Sequence, residues 1–159
     1  MNQKISPYSI LFIFVIILVV FLGYIYITDV DAISQVYAKI ETINSIDPKL
    51  TSADIIFTIN ITNPTSKEIY DFSSTFDVFI DDNYIGKGSF SKTGIKPNSN
   101  VYHQTEITVY YSGLANATID IIKNWVNNKD SDLFIKGNMT AKTLFGLMET
   151  TQPYIASSS

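Results

Sequence analysis

No charged side chain occurs between Ile5 and Thr28, and from Ile10 to Ile27 almost every residue is aliphatic or aromatic. At about 1.5 Å rise per residue, these 24 residues span about 36 Å as a helix, enough for a ~30 Å hydrocarbon core with some tilt. The remaining 131 residues must then lie on one side of a membrane. A cleaved secretory signal has a shorter apolar core, roughly 7–15 residues, and ends in a small-residue cleavage site. Here Gly23 is followed by Tyr24-Ile25-Tyr26-Ile27, so the segment reads as a retained signal-anchor. Lys4 precedes it and Asp29 and Asp31 follow it, which keeps the N-terminus in the cytoplasm and places the rest outside, at a plasma (cell) membrane. Tyr8, Tyr24 and Tyr26 sit where amphipathic rings prefer the headgroup boundary, and Pro7 is placed to open the helix. The expected organisation is a cytoplasmic start and anchor over 1–28, a short stalk over 29–33, one domain over 34–156 and a frayed polar tail over 157–159.

All fifteen acids follow the anchor, against ten lysines, so the exported part carries net charge −5. The chain has no arginine and no basic patch to displace counterions, which argues against nucleic-acid binding. Without cysteine there are neither disulfides nor thiolate metal sites, and stability must come from a core.

Period-two alternation dominates the exported part. The inward set is expected to be Val36, Ala38 and Ile40; Ile55, Phe57, Ile59 and Ile61; Phe76, Val78 and Ile80; Thr105, Ile107 and Val109; and Leu133, Ile135, Gly137 and Met139. Turn chemistry at Asn63-Pro64, Asp82-Asn83, Lys96-Pro97-Asn98 and Phe145-Gly146 separates the runs. Asp82-Asn83 is expected to be a two-residue hairpin loop joining Phe76–Asp81 to Tyr84–Phe90. A less regular last strand near Leu147–Ile155 contains Pro153, which points to a sheet edge. About seven such strands argue a β-sandwich. From Gly113 to Asn128 the period changes: Leu114, Thr118, Ile121 and Trp125 share one helical face, with Ser112 as N-cap and Trp125 closing one end of the sandwich.

Residues that carry chemistry are sparse. His103 is the lone histidine and has strand parity, which reads as structural. No nucleophile elbow, phosphate loop or metal-ligand spacing occurs, so no catalytic, cofactor or metal residues are assigned. Asp81-Asp82-Asn83 lacks the downstream Gly and Glu of a calcium loop and reads as a turn. Candidate glycosylation sites are Asn60, Asn116 and Asn138, each opening an Asn-x-Thr sequon, in about the number that chance alone gives.

Ile59-Asn60-Ile61-Thr62 runs into Asn63-Pro64-Thr65, and Phe76-Asp77-Val78-Phe79-Ile80 and Asn83-Tyr84-Ile85-Gly86-Lys87-Gly88 follow. Ile95-Lys96-Pro97-Asn98-Ser99, the helix near Leu114–Trp125 and Phe134-Ile135-Lys136-Gly137 complete the order. This ordered set resembles the late embryogenesis abundant type 2 family, also called the water stress and hypersensitive response domain. The resemblance implies a seven-stranded immunoglobulin or fibronectin type III-like sandwich with one helix, no enzyme activity, and stress-linked protection of proteins or membranes.

The leading expectation is therefore a mainly β, non-catalytic, single-pass membrane-anchored extracytoplasmic sandwich that binds or shields at the envelope. Its partners would be membrane lipid through the helix and an unidentified envelope protein, polysaccharide or lipid. One alternative is a filament subunit of the archaeal pilin or archaellin sort, although Lys4-Ile5-Ser6-Pro7 is a poor processing site. The other is an apolar-ligand carrier, since Ile56, Phe79 and Tyr110 fall on nominally wet faces.

Overall fold

A computed structural model describes residues 7–128 and 132–158. Lys4, Ile5 and Ser6, the basis of the expected orientation and processing, lie outside them, as does Ser159. Among the described residues the chain forms one long helix, seven strands in two antiparallel sheets, and one shorter helix.

Helix α1 (Pro7–Ser34) opens on Pro7, whose missing N–H falls where no helical bond is required. Every side chain from Tyr8 to Phe21 is exposed, and the helix is long and apolar enough to cross a membrane. Its last turns are different. Residues 29–33, expected as a stalk, stay helical, and Ala32 and Ile33 are buried against the β-structure. The acids at positions 29 and 31 therefore end the apolar run without ending the helix.

The strands are β1 (Tyr37–Pro48), β2 (Ser52–Asn63), β3 (Ile69–Ile80), β4 (Asn83–Ile95), β5 (Ser99–Tyr110), β6 (Leu133–Thr143) and β7 (Met148–Ser157); helix α2 (Asn116–Asn128) lies between β5 and β6. One sheet has the order β1-β2-β5 and the other β4-β3-β6-β7. Ile55, Phe57, Ile59 and Ile61 are fully buried, as are Val78, Ile80, Leu133 and Ile135 from the other sheet, so the expected inward parity holds on both layers. Phe57 of β2 meets Phe76 of β3 edge-on with centroids 6.3 Å apart, which joins the two sheets through the core. Gly137 and Gly88 are the cross-strand partners of Phe76 on either side. A Cβ at Gly88 would run into the Phe76 ring, and one at Gly137 into the Thr75 carbonyl and the Phe76 backbone and Cβ, so Gly88 makes room for the ring and Gly137 for the close approach of β3.

Three local expectations need correction. The β3–β4 loop is Asp81-Asp82, one residue earlier than Asp82-Asn83, with Ile80 paired to Asn83. Asp81 takes φ 50°, and its backbone N–H donates to Asp132 O (3.0 Å), so the turn also meets the start of β6. Ser112 does not cap α2. It lies in a separate 3₁₀ turn (Tyr111–Gly113), after which Leu114 is extended and packs on the core, and α2 begins only at Asn116. Ser157 and Ser158 are not frayed: Ser157 pairs with Phe134, and the Ser158 N–H donates to Leu133 O (2.9 Å). The edge position of β7 agrees with Pro153 lying within it.

Candidate functional site

The end of the β-body that receives α1 is held by directional polar contacts. Asn63, last residue of β2, is fully buried. Its amide donates to Lys67 O (2.7 Å) and Lys96 O (3.1 Å), and its carbonyl oxygen accepts from Thr65 N (3.0 Å) and Thr65 Oγ1 (2.8 Å). Pro64 cannot donate, and the Asn63 side chain supplies the bonds that close the turn. That turn presents Lys67 to the helix, where its ammonium donates to Thr28 Oγ1 and Asp29 Oδ1, both at 2.6 Å. The other carboxylate oxygen, Asp29 Oδ2, accepts from the Leu144 N–H (2.9 Å) in the loop between β6 and β7.

That loop is strained. Leu144 (φ 51°), Phe145 (φ 58°) and Gly146 (φ 86°) are three consecutive left-handed residues, and for the two with a Cβ this costs on the order of 1 kcal/mol each. The conformation leaves Phe145 76% and Leu147 78% exposed. Between loop, helix and turn lies a cleft of about 350 Å³ lined by Ile25, Ile33, Ile69, Tyr70, Lys142 and Phe145, among others. Tyr70 donates to Glu68 Oε2 (2.8 Å), which raises its phenol pKa, and Lys142 pairs with Asp71 at 3.3 Å.

A second grouping occupies the outer face of the four-stranded sheet near its far end. Phe79 and Phe134 stack at 5.1 Å with nearly parallel planes, Tyr84 meets Phe79 edge-on at 5.8 Å, and Lys136 Nζ stands 5.2 and 5.0 Å from the two stacked rings. This is an aromatic surface with a cation beside it, of the kind that packs against apolar or ring-shaped partners. Phe79 reaches it because outward parity on β3 puts it beside Phe134 of β6.

The sequence candidates do not converge. Asn116 is exposed at the first turn of α2, and Asn138 is exposed on β6 between Thr75 and Pro153. Asn60 is half-buried on the outer face of the three-stranded sheet, and its amide donates to Glu41 Oε2 (3.2 Å). His103 stacks on Phe90 at 4.7 Å, and burial lowers its pKa below the ordinary 6.5. Trp125 is buried, with Ile122 fully buried one turn earlier on α2. Tyr154 bonds Ser74 across β6 (2.9 Å), and burial pushes its phenol up to about 12. Among the described residues no group of three or more His, Asp or Glu is placed to hold a metal. Sequence reading missed the Asp29–Lys67–Leu144 clamp because its parts lie far apart in the chain. The exposed loop had a visible signal: Leu144-Phe145-Gly146-Leu147-Met148 is an apolar run at a turn, where polar residues are usual.

No protein-family model and no curated protein matches the chain. Solved structures do match. The solution structure of AT1g01470 from Arabidopsis thaliana aligns with TM-score 0.50 at 22% identity, over 76% of this chain and 74% of that one. At2g46140.1, described as a late embryogenesis abundant (LEA) protein, aligns with TM-score 0.46 at 10% identity over 99% and 91% of the two chains. A protein from Archaeoglobus fulgidus aligns with TM-score 0.42 at 12% identity over 78% and 92%. These identities speak to the fold alone, and only the first alignment is close enough to argue from: the two-layer arrangement of β1–β7 is similar to that of the Arabidopsis protein.

Proposed function

We propose that this chain is a single-pass membrane protein that presents an immunoglobulin or fibronectin type III-like sandwich of the late embryogenesis abundant type 2 kind outside the cytoplasm. It acts without catalysis, by binding or shielding at the cell envelope under stress. The observation that carries the reading is α1: fourteen consecutive exposed side chains from Tyr8 to Phe21, apolar but for Tyr8 and Ser9, continue without a break into a helix end clamped to the β-body. Such a surface is costly in water and stable in lipid. The ordered motifs from Asn63-Pro64 to Phe134-Ile135-Lys136-Gly137 support the family reading, and the similarity of fold to the Arabidopsis protein accords with it.

Protease added to intact cells that express the full chain is expected to remove the β-body and leave an α1-sized fragment in the membrane. Full protection of the β-body would overturn the outward orientation. The bare helix also serves the filament alternative, in which it packs against copies of itself. Mass spectrometry of the mature N-terminus separates the two, since a filament subunit loses its first few residues and an anchor keeps them.

A further inference from the structure

The loop Leu144–Leu147 lies level with the last apolar turn of α1, and we propose that it is a second membrane contact, with Phe145 and Leu147 seated in the headgroup boundary of the bilayer that α1 spans. This rests on the anchor reading above. The depth follows from the helix. Tyr8 to Ile27 is 20 residues, about 30 Å, so a bilayer centred on that run ends close to Thr28 and Asp29. Leu144 N–H donates to Asp29 Oδ2 (2.9 Å), and Phe145 and Gly146 share their cleft with Ile25, which lies inside the apolar run. The loop therefore sits beside the helix at the membrane surface.

Three features fit a lipid surface. Phe145 and Leu147 are the most exposed large apolar side chains of the β-body after Leu50, which lies in the β1–β2 turn at the opposite end. Phe145 projects outward from a turn of consecutive left-handed residues, a backbone that is costly for a side chain with a Cβ. Tyr24 on the helix and Tyr70 at the cleft rim, both exposed, add amphipathic rings of the kind enriched at bilayer interfaces. The cleft carries no excess of cations: Lys67 is paired with Asp29 and Lys142 with Asp71, and Glu68 adds a negative charge. The contact is thus apolar and does not depend on anionic lipid. Its consequence is orientation, because a helix and a loop together fix how the β-body stands on the membrane, whereas a helix alone leaves it free to tilt.

The test uses the full chain in nanodiscs of zwitterionic lipid, with single tryptophan reporters read against the unsubstituted chain, whose Trp125 is buried. Phe145→Trp is expected to be quenched by lipids brominated on their acyl chains near the headgroup and protected from aqueous iodide. Leu50→Trp is expected to show the reverse. Leu147→Trp repeats the measurement at a position of ordinary backbone (φ −79°), in case tryptophan at the strained position disturbs folding. Tyr24→Trp reports the helix. Iodide quenching at 145 and 147 equal to that at 50, with bromolipid quenching at 24, overturns the loop contact and leaves the anchor standing. No bromolipid quenching at 24 overturns both. Shielding of 145 and 147 from iodide and bromolipid alike means that protein covers the loop, this chain itself or a second copy of it, and overturns the lipid assignment.

Discussion

The two ends of the β-body are closed by different physics. At the far end, α2 lays Ile122 and Trp125 onto the core, with Leu114 and Ile121 packed at its margin. At the end that carries α1, a buried asparagine, an aspartate and a lysine are stitched together by hydrogen bonds. Apolar burial is non-directional, so it seals a core without fixing the angle of what seals it. Hydrogen bonds weaken steeply away from linearity, so they fix direction. A helix that must leave the body at one angle calls for the second kind of closure. A lid over a core needs only the first.

The largest expected effect tests the apolar end. Trp125→Ala removes a fully enclosed indole and leaves a cavity between α2 and the strands, at a cost of about 3–5 kcal/mol. Denaturant unfolding of the full chain in micelles should show the loss, while protection of the Leu144 amide from hydrogen exchange persists under native conditions. A loss under about 1 kcal/mol would mean that α2 is an appendage and the two ends are not alike in importance.

Next is the polar end. Asn63→Ala strips the partners from the Lys67 and Lys96 carbonyls and from the Thr65 N–H, for about 2–3 kcal/mol. Asn63→Asp should cost more than alanine does. A carboxylate accepts from Thr65 but cannot donate to the two carbonyls, and it would be an unpaired buried charge. If the aspartate variant were as stable as the wild type, the Asn63 network would not be what closes this end.

The far end was the more legible of the two in sequence. A 3.6-residue period brought out Thr118, Ile121 and Trp125 as one face, because the information was local. The error there was also local: Leu114 fits the period but is extended, since Tyr111–Gly113 forms its own turn. Strand parity was equally legible for β2, whose pairing with β5 runs unbroken from Ser52 to Asn63. On β1 the alternation stops at Ile40. Bulges after Ile40 and Ile43 carry Ile43 and Ile46 to the inward side at a spacing of three, opposite Phe57 and Ile55, and no period-two reading finds them. At the α1 end almost nothing was legible. Asn63-Pro64 read as a turn, but its bonds reach residues 95 and 96, and Asp29 read as a flank of the anchor although it holds the Leu144 backbone 115 positions away. Short polar side chains carry no periodicity, so only the fold reveals what they hold.

The smallest expected effect is the most specific to the difference between the ends. Asp29→Asn keeps an oxygen able to accept from the Leu144 N–H but removes the charge facing Lys67, and its amide nitrogen, itself a donor, can accept from neither partner. The Asp29 and Lys67 side chains are 22% and 39% exposed, so solvent screens their attraction and global stability should fall by about 1 kcal/mol or less. The local effect should be larger than the global one. Leu144 and Phe145 are held in left-handed conformations partly by this bond, and when it weakens their backbone has reason to relax. Hydrogen exchange at the Leu144 amide should therefore accelerate, by about tenfold for a bond contributing roughly 1.4 kcal/mol to local closure. Amides in the middle of β2 should keep their rates. Asp29→Ala, with no acceptor at all, should accelerate Leu144 further. Equal exchange in wild type and both variants would show that the loop holds its strained shape by itself, and that α1 is seated by the burial of Ala32 and Ile33 alone. In that case the two ends would be closed by the same apolar means.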